Sequence, residues 1–232
     1  MDRAIIFDVD GTLAETEEAH RRAFNRAFAE TGLSWSWDQE LYRKLLAVTG
    51  GKERIRHFIG DYGGKGAPDE GVEDFIKALH ARKTIAYSEI VREGGLELRP
   101  GIRDLIFAAR ERSYRLAIAT TTTPANIDAL LFATLGEVGH ELFEVICAGD
   151  SVPRKKPAPD VYLLTLEKLD LPGKSCVAIE DSRNGLLSAC AAGIKTIVTP
   201  SIYTRGENFD EAALVIDDLE HLDLADMDSL YE

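Results

Sequence analysis

Short apolar runs recur at residues 4–7, 115–120, 145–148, 176–180 and 195–198, with a weaker one at 214–216. Most are continuously apolar rather than alternating, the pattern of strands covered on both faces in a parallel sheet. Apolar positions at helical spacing fill the intervals 102–112, 125–135, 159–169 and 184–192. Strand and helix in alternation predict an α/β fold built on a doubly wound, Rossmann-like parallel sheet. One stretch breaks the alternation. From residue 15 to about 91 there are several amphipathic helix patterns and no convincing strand. Phe24 and Phe28 share one helical face, and the segments 41–48, 52–59 and 72–85 continue the theme. The simplest organisation is an α/β core of residues 1–14 and 97–232 with a small all-helical cap, residues 15–96, inserted after the first strand. Residues 13–16 and 96–101 are the expected hinges, the second ending in Pro100-Gly101, and the Gly-rich segment 61–71 reads as a surface turn between cap helices.

Composition narrows the function classes. At 232 residues the chain can bury a sizeable core, and 45% hydrophobic with 29% charged residues is ordinary for a globular protein. A formal net charge of -13 with no compensating basic block argues against a nucleic-acid or membrane-surface partner. It leaves room for a small anionic substrate met by a few local cations. Cys147, Cys176 and Cys190 are odd in number and lack metal-type spacing, so they read as buried free thiols in a reducing compartment. The N-terminus runs straight into the first strand with no leader pattern, and no apolar run is long enough for a bilayer. A cytoplasmic monomer is the expectation.

The chemistry sits at the ends of the predicted strands, where open parallel sheets bind ligands. The first strand ends in Asp8-Val9-Asp10-Gly11-Thr12, two carboxylates one residue apart before a glycine turn. Acids this close repel unless a cation compensates them, and oxygen-only ligands favour Mg2+. The second strand ends in Thr120-Thr121-Thr122-Thr123, with Asn126 on the helix that follows. The third leads through Gly149-Asp150 to Lys155-Lys156-Pro157, and the fourth ends in Glu180-Asp181-Ser182. Each motif alone is more often a turn, a solvated loop or a helix cap. Four of them after successive strands describe a site for Mg2+ and a phosphoryl group. Asp8 would attack phosphorus. Asp10 would protonate the leaving oxygen and then activate water, a role that favours a raised pKa. Thr120 and Lys156 would hold the phosphoryl oxygens. Asp8, Asp10, Glu180 and Asp181 would supply the metal oxygens.

The order Asp-Val-Asp-Gly-Thr, Ala-Thr-Thr-Thr, Lys-Lys-Pro-Ala-Pro-Asp and Ile-Glu-Asp-Ser resembles the four motifs of the haloacid dehalogenase superfamily, over nearly the whole chain. The resemblance implies an aspartyl-phosphate on Asp8, acid/base work by Asp10, phosphoryl contacts from Thr120 and Lys156, and Mg2+ on Asp181. The second acid of the pair separates phosphotransferases from dehalogenases. The helical insertion resembles the cap of the β-phosphoglucomutase and phosphoglycolate phosphatase branch.

The cap should choose the substrate, because the phosphoryl site is generic. Glu17 and His20 lie near the first hinge, and Thr49-Gly50-Gly51-Lys52-Glu53-Arg54 places two glycines and a lysine at a helix start, a candidate anion cradle. His80 and Lys83 add cationic groups at helical spacing, while Thr121, Thr122 and Asn126 extend the substrate-facing rim. A second anion subsite implies a sugar bisphosphate. The segment from Asp8 to His20, with Thr-Gly-Gly-Lys-Glu and Thr-Thr-Thr, is similar to the CbbY-type phosphatases. That resemblance implies hydrolysis of xylulose-1,5-bisphosphate, an inhibitory by-product of Rubisco in the Calvin cycle. Glu17 would then meet sugar hydroxyls and the Lys52 loop the distal phosphate, with Lys83 and Arg154 as further cations for it. A β-phosphoglucomutase shares most of the motifs but carries a Lys and an Arg close together after its first cap helix, where this chain reads Ala47-Val48-Thr49-Gly50-Gly51-Lys52. A phosphoglycolate phosphatase would not need the basic cap subsite. A non-catalytic phosphometabolite sensor would not need the acid pair.

Overall fold

The computed structural model describes residues 2–231. Its six strands are β1 (Ala4–Phe7), β2 (Arg115–Ala119), β3 (Val145–Cys147), β4 (Cys176–Glu180), β5 (Lys195–Val198) and β6 (Leu214–Val215). They form one parallel sheet in the order β3-β2-β1-β4-β5-β6. The weak sixth run is a two-residue edge strand, exposed on both positions. β1, β2 and β4 are almost wholly buried, as continuous apolar runs require. One apolar cluster covers one face of the sheet, around Ile5, Phe7, Leu116 and Ile118; another covers the opposite face, around Ala4, Ile6, Ala117 and Tyr162.

Four helices separate β1 from the rest of the core: α1 (Glu17–Glu30), α2 (Gln39–Leu45), α3 (Gly51–Asp61) and α4 (Val72–Arg92). The remaining helices are α5 (Ile102–Glu111), α6 (Pro124–Leu135), α7 (Asp160–Leu169), α8 (Arg183–Ala191) and α9 (Leu224–Met227). α4 runs seven residues past the expected end at Ile85, because Ala86, Tyr87, Ile90 and Val91 continue its buried stripe. The inserted helices bury their own aromatic core of Phe24, Phe28, Trp35, Trp37, Tyr42 and Phe58. Phe24 packs 4.6 Å from Trp37, centroid to centroid, and Trp37 lies 5.4 Å from Phe58. Cys147 and Cys176 are buried free thiols as expected, whereas Cys190 is only half-buried beside α8's last turn. No helix among the described residues is long and apolar enough to cross a membrane.

Register positions the site. Phe7 pairs with Ile118 on one side and Ile179 on the other, so Asp8 stands level with Ala119 and Glu180 at the carboxyl edge of the sheet. The two segments that flank the inserted helices meet there too: Ala14 bridges Leu98, and the Arg99 N–H donates to Leu13 O at 2.8 Å. The Arg99 guanidinium is buried among carbonyls. It donates to Thr199 O (2.6 Å), Pro200 O (3.1 Å), Asp217 O (3.0 Å) and Gly11 O, binding the hinge to the turn that carries Asp10. Replacing it by an apolar side chain would leave several buried carbonyls unpaired. Arg99→Met is expected to cost roughly 2–3 kcal/mol, seen as a lower urea midpoint at unchanged slope.

Candidate active site

A single ammonium holds the centre. Lys156 Nζ lies 2.7 Å from Asp8 Oδ1, 2.6 Å from Glu180 Oε1 and 2.9 Å from Ala119 O, and all these groups are buried. Tyr162 donates its hydroxyl to the same Glu180 oxygen at 2.5 Å. The second Glu180 oxygen has no hydrogen-bond partner and faces Gly185, where an added Cβ would lie 1.9 Å away. Burial pushes Asp8 up to about 7 against the pull of Lys156, with Glu180 adding to the rise. Lys156 is held protonated despite its burial by Asp8 and Glu180.

Asp8, Glu180 and Asp181 bring one oxygen each within 4.8 Å of one another. Burial, then the charges of Asp8 and Glu180, push Asp181 well above the usual carboxylate range. Three acids facing one ammonium leave negative charge uncompensated, and an all-oxygen set suits a hard divalent cation. The residues present therefore fit a metal. The Asp10 carboxylate, expected among its ligands, lies outside this cluster. Thr16 donates to Asp10 Oδ1 at 2.6 Å, and His20 Nε2 lies 2.8 Å from the same oxygen. The expected raised pKa of Asp10 is also corrected. Burial acts to raise it, but the charge and hydrogen bond of His20, then Thr16 and Lys83, outweigh burial and hold it below the usual range.

One pocket gathers most of the expected residues: Asp8, Asp10, Glu17, His20, Thr49, Gly50, Gly51, His80, Lys83, Thr120, Thr121, Thr122, Asn126, Lys156 and Asp181. Thr120 is fixed where β2 ends, its N–H bonded to Cys147 O at 3.0 Å, and Asn126 donates to Thr122 Oγ1 at 2.9 Å. Lys83 is buried with its ammonium 2.6 Å from His20 Nδ1 and over the rings of Phe24 and Tyr87. Burial brings it down to about 8.

Four expected residues stand apart from the pocket wall. Lys52 is not free to cradle an anion: it pairs with Asp150, in the segment after β3. Glu53 folds back against Gly50, where an added Cβ would lie 2.2 Å from its Oε2. Glu180 sits below the floor with Lys156. Arg154, offered as a distal cation, is an exposed partner of Asp160.

Sequence reasoning included Arg54 at the end of the cradle segment but gave it no role of its own. It is buried, lines the pocket, and donates to the Tyr42 hydroxyl at 3.0 Å and to Leu45 O at 3.3 Å. Tyr42 in turn donates to Glu17 Oε2 at 2.7 Å, which fixes that carboxylate in the wall. The signal was present: Arg54 lies four residues before Phe58 and beside Ile55, on the inward face of α3. Asn184, Tyr203, Thr204 and Glu207 also line the pocket, from core segments that carry no motif.

A family model for haloacid dehalogenase-like hydrolases matches residues 3–193. The chain belongs to this family. It is 54% identical to Protein CbbY of Rhodobacter capsulatus over 217 residues, covering 94% of this chain and 93% of that protein. It superposes on the crystal structure of CbbY from Rhodobacter sphaeroides in complex with phosphate with a TM-score of 0.91 at 50% identity, covering 96% of each chain. An Asp-to-Asn mutant of that CbbY, crystallised with xylulose-(1,5)bisphosphate, matches equally well, TM-score 0.91. A β-phosphoglucomutase from Clostridium difficile shares the fold, TM-score 0.81 at 20% identity, covering 100% of this chain and 97% of that one. The dehalogenase-like hydrolase fold and the phosphatase class expected from the motifs are thus borne out.

One wall residue carries a pH signature. Burial, then the charges of Lys83 and Lys52, hold His80 down at about 3, against an ordinary value of 6.5. Between those values the unfolded chain binds a proton that the folded chain refuses. The stability supplied by neutral His80 is complete above pH 6.5 and is lost as pH falls toward 3. His80→Asn is expected to flatten the decline of the urea midpoint between about pH 6.5 and pH 4.5 relative to the native chain.

Proposed function

We propose that this chain is a Mg2+-dependent phosphatase that removes one phosphate from a sugar bisphosphate, xylulose-1,5-bisphosphate, through an aspartyl-phosphate on Asp8. One observation carries the reading: buried cations reach the pocket from both parts of the chain, Lys156 beside the acids of the core and, in the inserted helices, Arg54 with Lys83. A monophosphate uses only the first. The likeness to the CbbY structure with its bisphosphate supports the same conclusion.

The steps follow from the side chains. Lys156 favours the ionised form of Asp8 and orients it at the end of β1, so an Asp8 oxygen attacks phosphorus while the bond to the sugar oxygen breaks. Asp10 gives the leaving oxygen its proton. For that it must turn from Thr16 and His20 toward the sugar. Water then attacks phosphorus, Asp10 takes the proton, and the Asp8–phosphorus bond breaks to release inorganic phosphate. In the arrangement seen, Asp10 is ionised and turned toward the inserted helices, so the same turn toward the phosphoryl group precedes both of its proton transfers. Thr120 offers a hydroxyl to a phosphoryl oxygen. Asp8 and Asp181 would hold the Mg2+, which neutralises phosphoryl charge when bound. Residues 15–96 form the cap, opening about the hinges to admit substrate and closing to exclude water. Glu17, oriented by Tyr42, reads sugar hydroxyls; Arg54, rather than Lys52, takes the distal phosphate.

Phosphate release from a sugar-phosphate panel tests the reading. A pentulose bisphosphate is expected to give the highest kcat/KM with one phosphate released per molecule. Faster conversion of β-glucose 1-phosphate to glucose 6-phosphate would instead make the protein a mutase. Asp8→Asn should lower kcat by at least about 10³-fold; activity that survives it would refute the covalent step. Arg54→Ala should lower kcat/KM for the bisphosphate by about 30-fold or more while changing a monophosphate little.

A further inference from the structure

Tyr203 belongs to the wrong hydrophobic core. It lies in the loop after β5, a core segment, yet its buried ring is part of the aromatic cluster of the inserted helices with Phe24, Trp37 and Tyr42. Its ring meets Tyr42 edge-on at 5.8 Å, the Arg43 guanidinium lies 5.5 Å over its centroid, and its hydroxyl donates to Glu18 Oε2 at 2.8 Å. Nearby, the Ile202 N–H donates to Glu15 Oε1 at 3.3 Å.

The next residue faces the opposite way. Thr204 Oγ1 donates to the Asp181 backbone carbonyl at 2.7 Å and lies 3.5 Å from Asp181 Oδ2. The same oxygen accepts from the Ser201 N–H at 2.9 Å, which closes the loop into a tight turn. Asp181 has little slack. A Cβ built on Gly11, at φ +82°, would lie 2.2 Å from Asp181 Oδ2 and 3.1 Å from Ser201 Cβ. Through the Thr204 contacts a shift of this turn is passed to Asp181. One peptide bond separates the side chain that grips the cap from the side chain that grips the acid.

We propose that Tyr203 is a positioning residue that couples docking of the cap to the placement of Asp181, the carboxylate that would hold the metal. The coupling rests on the metal reading given above and goes beyond it: cap closure and metal binding are linked even with no sugar in the pocket. Linkage is reciprocal. If the docked cap favours the metal-ready position of Asp181, the metal must favour the docked cap by the same factor.

Hydrogen–deuterium exchange of the whole protein tests this with Mg2+ alone as the probe. In the native chain, saturating Mg2+ is expected to slow exchange of the amides of α2, Gln39–Leu45, by about 5-fold or more. Tyr203→Ala, which cuts the loop from the cap, and Thr204→Val, which cuts it from Asp181, should each abolish that response. Tyr203→Phe keeps the packed ring, guards against a folding defect, and should lose part of the response with the Glu18 bond. A response unchanged in all three variants would overturn the proposal and assign the coupling to the Asp10–His20 contact instead. Titration calorimetry of Mg2+ separates the two levels. Mg2+ that binds without altering α2 exchange in the native chain refutes the coupling alone. An absence of Mg2+ binding refutes the metal reading and the coupling with it.

Discussion

The ammonium of Lys156 is the charge around which this site is arranged. It is buried against Asp8 and Glu180 from two adjacent strands, with Asp181 close by. Burying a cation or an anion alone costs several kcal/mol, so neither partner is tolerable without the other. Glu180 has no pocket face, yet it is bound by both Lys156 and Tyr162. Its task is to hold the ammonium from beneath while Asp8 takes the other side. The sheet supplies the precision: β1 lies between β2 and β4, and its register sets Asp8 level with Glu180. A lysine from the loop before α7 can then reach both acids and the Ala119 carbonyl at once.

The second acid is governed from the other side. Asp10 lies two residues from Asp8, and two ionised carboxylates that close repel. The structure separates them by giving each its own hydrogen-bond donors. Asp8 has Lys156, whereas Asp10 has His20 from α1, backed by Lys83 from α4. His20 also stacks on Tyr87, with centroids 4.1 Å apart, so the imidazole is fixed by packing as well as by its hydrogen bonds. The inserted helices thus enter the chemistry directly, through the protonation and direction of Asp10. Movement of α1 and α4 would change the environment of Asp10 without touching Asp8.

Much of this was legible in the chain. Continuous apolar strands announced a sheet covered on both faces, and the acids, hydroxyls and lysine after those strands fell together because all parallel strands end on one edge. The long helical interval showed as a loss of strand pattern. Direction was harder to read than position. Asp10 was correctly placed at the site, but its pull toward His20 depends on two helices that the local sequence does not orient. Lys52 had the composition of an anion cradle and the wrong heading, since its reach ends on Asp150. Tyr203 and Asn184 had no motif at all. Their place in the pocket comes from the loop after β5 and the start of α8, brought up against the inserted helices by tertiary packing alone.

The contrast between Lys52 and Arg54 shows why burial, rather than charge near a glycine turn, decides which cation reads a distal anion. The pair between Lys52 and Asp150 is partly open to solvent, with side-chain exposures of 27% and 64%. Such pairs contribute on the order of 0–1 kcal/mol and weaken with salt. A phosphate bound there would have to displace Asp150 and would gain little. Arg54 is 8% exposed, and its fork is held by an uncharged hydroxyl and a carbonyl. Its charge has no carboxylate opposite it among these partners. An anion that reaches Arg54 meets a desolvated, pre-oriented guanidinium at little cost in side-chain entropy. The same hydroxyl that steadies Arg54 donates to Glu17. Phosphate and sugar recognition would therefore share Tyr42, and a change at that ring would disturb both ends of the substrate together.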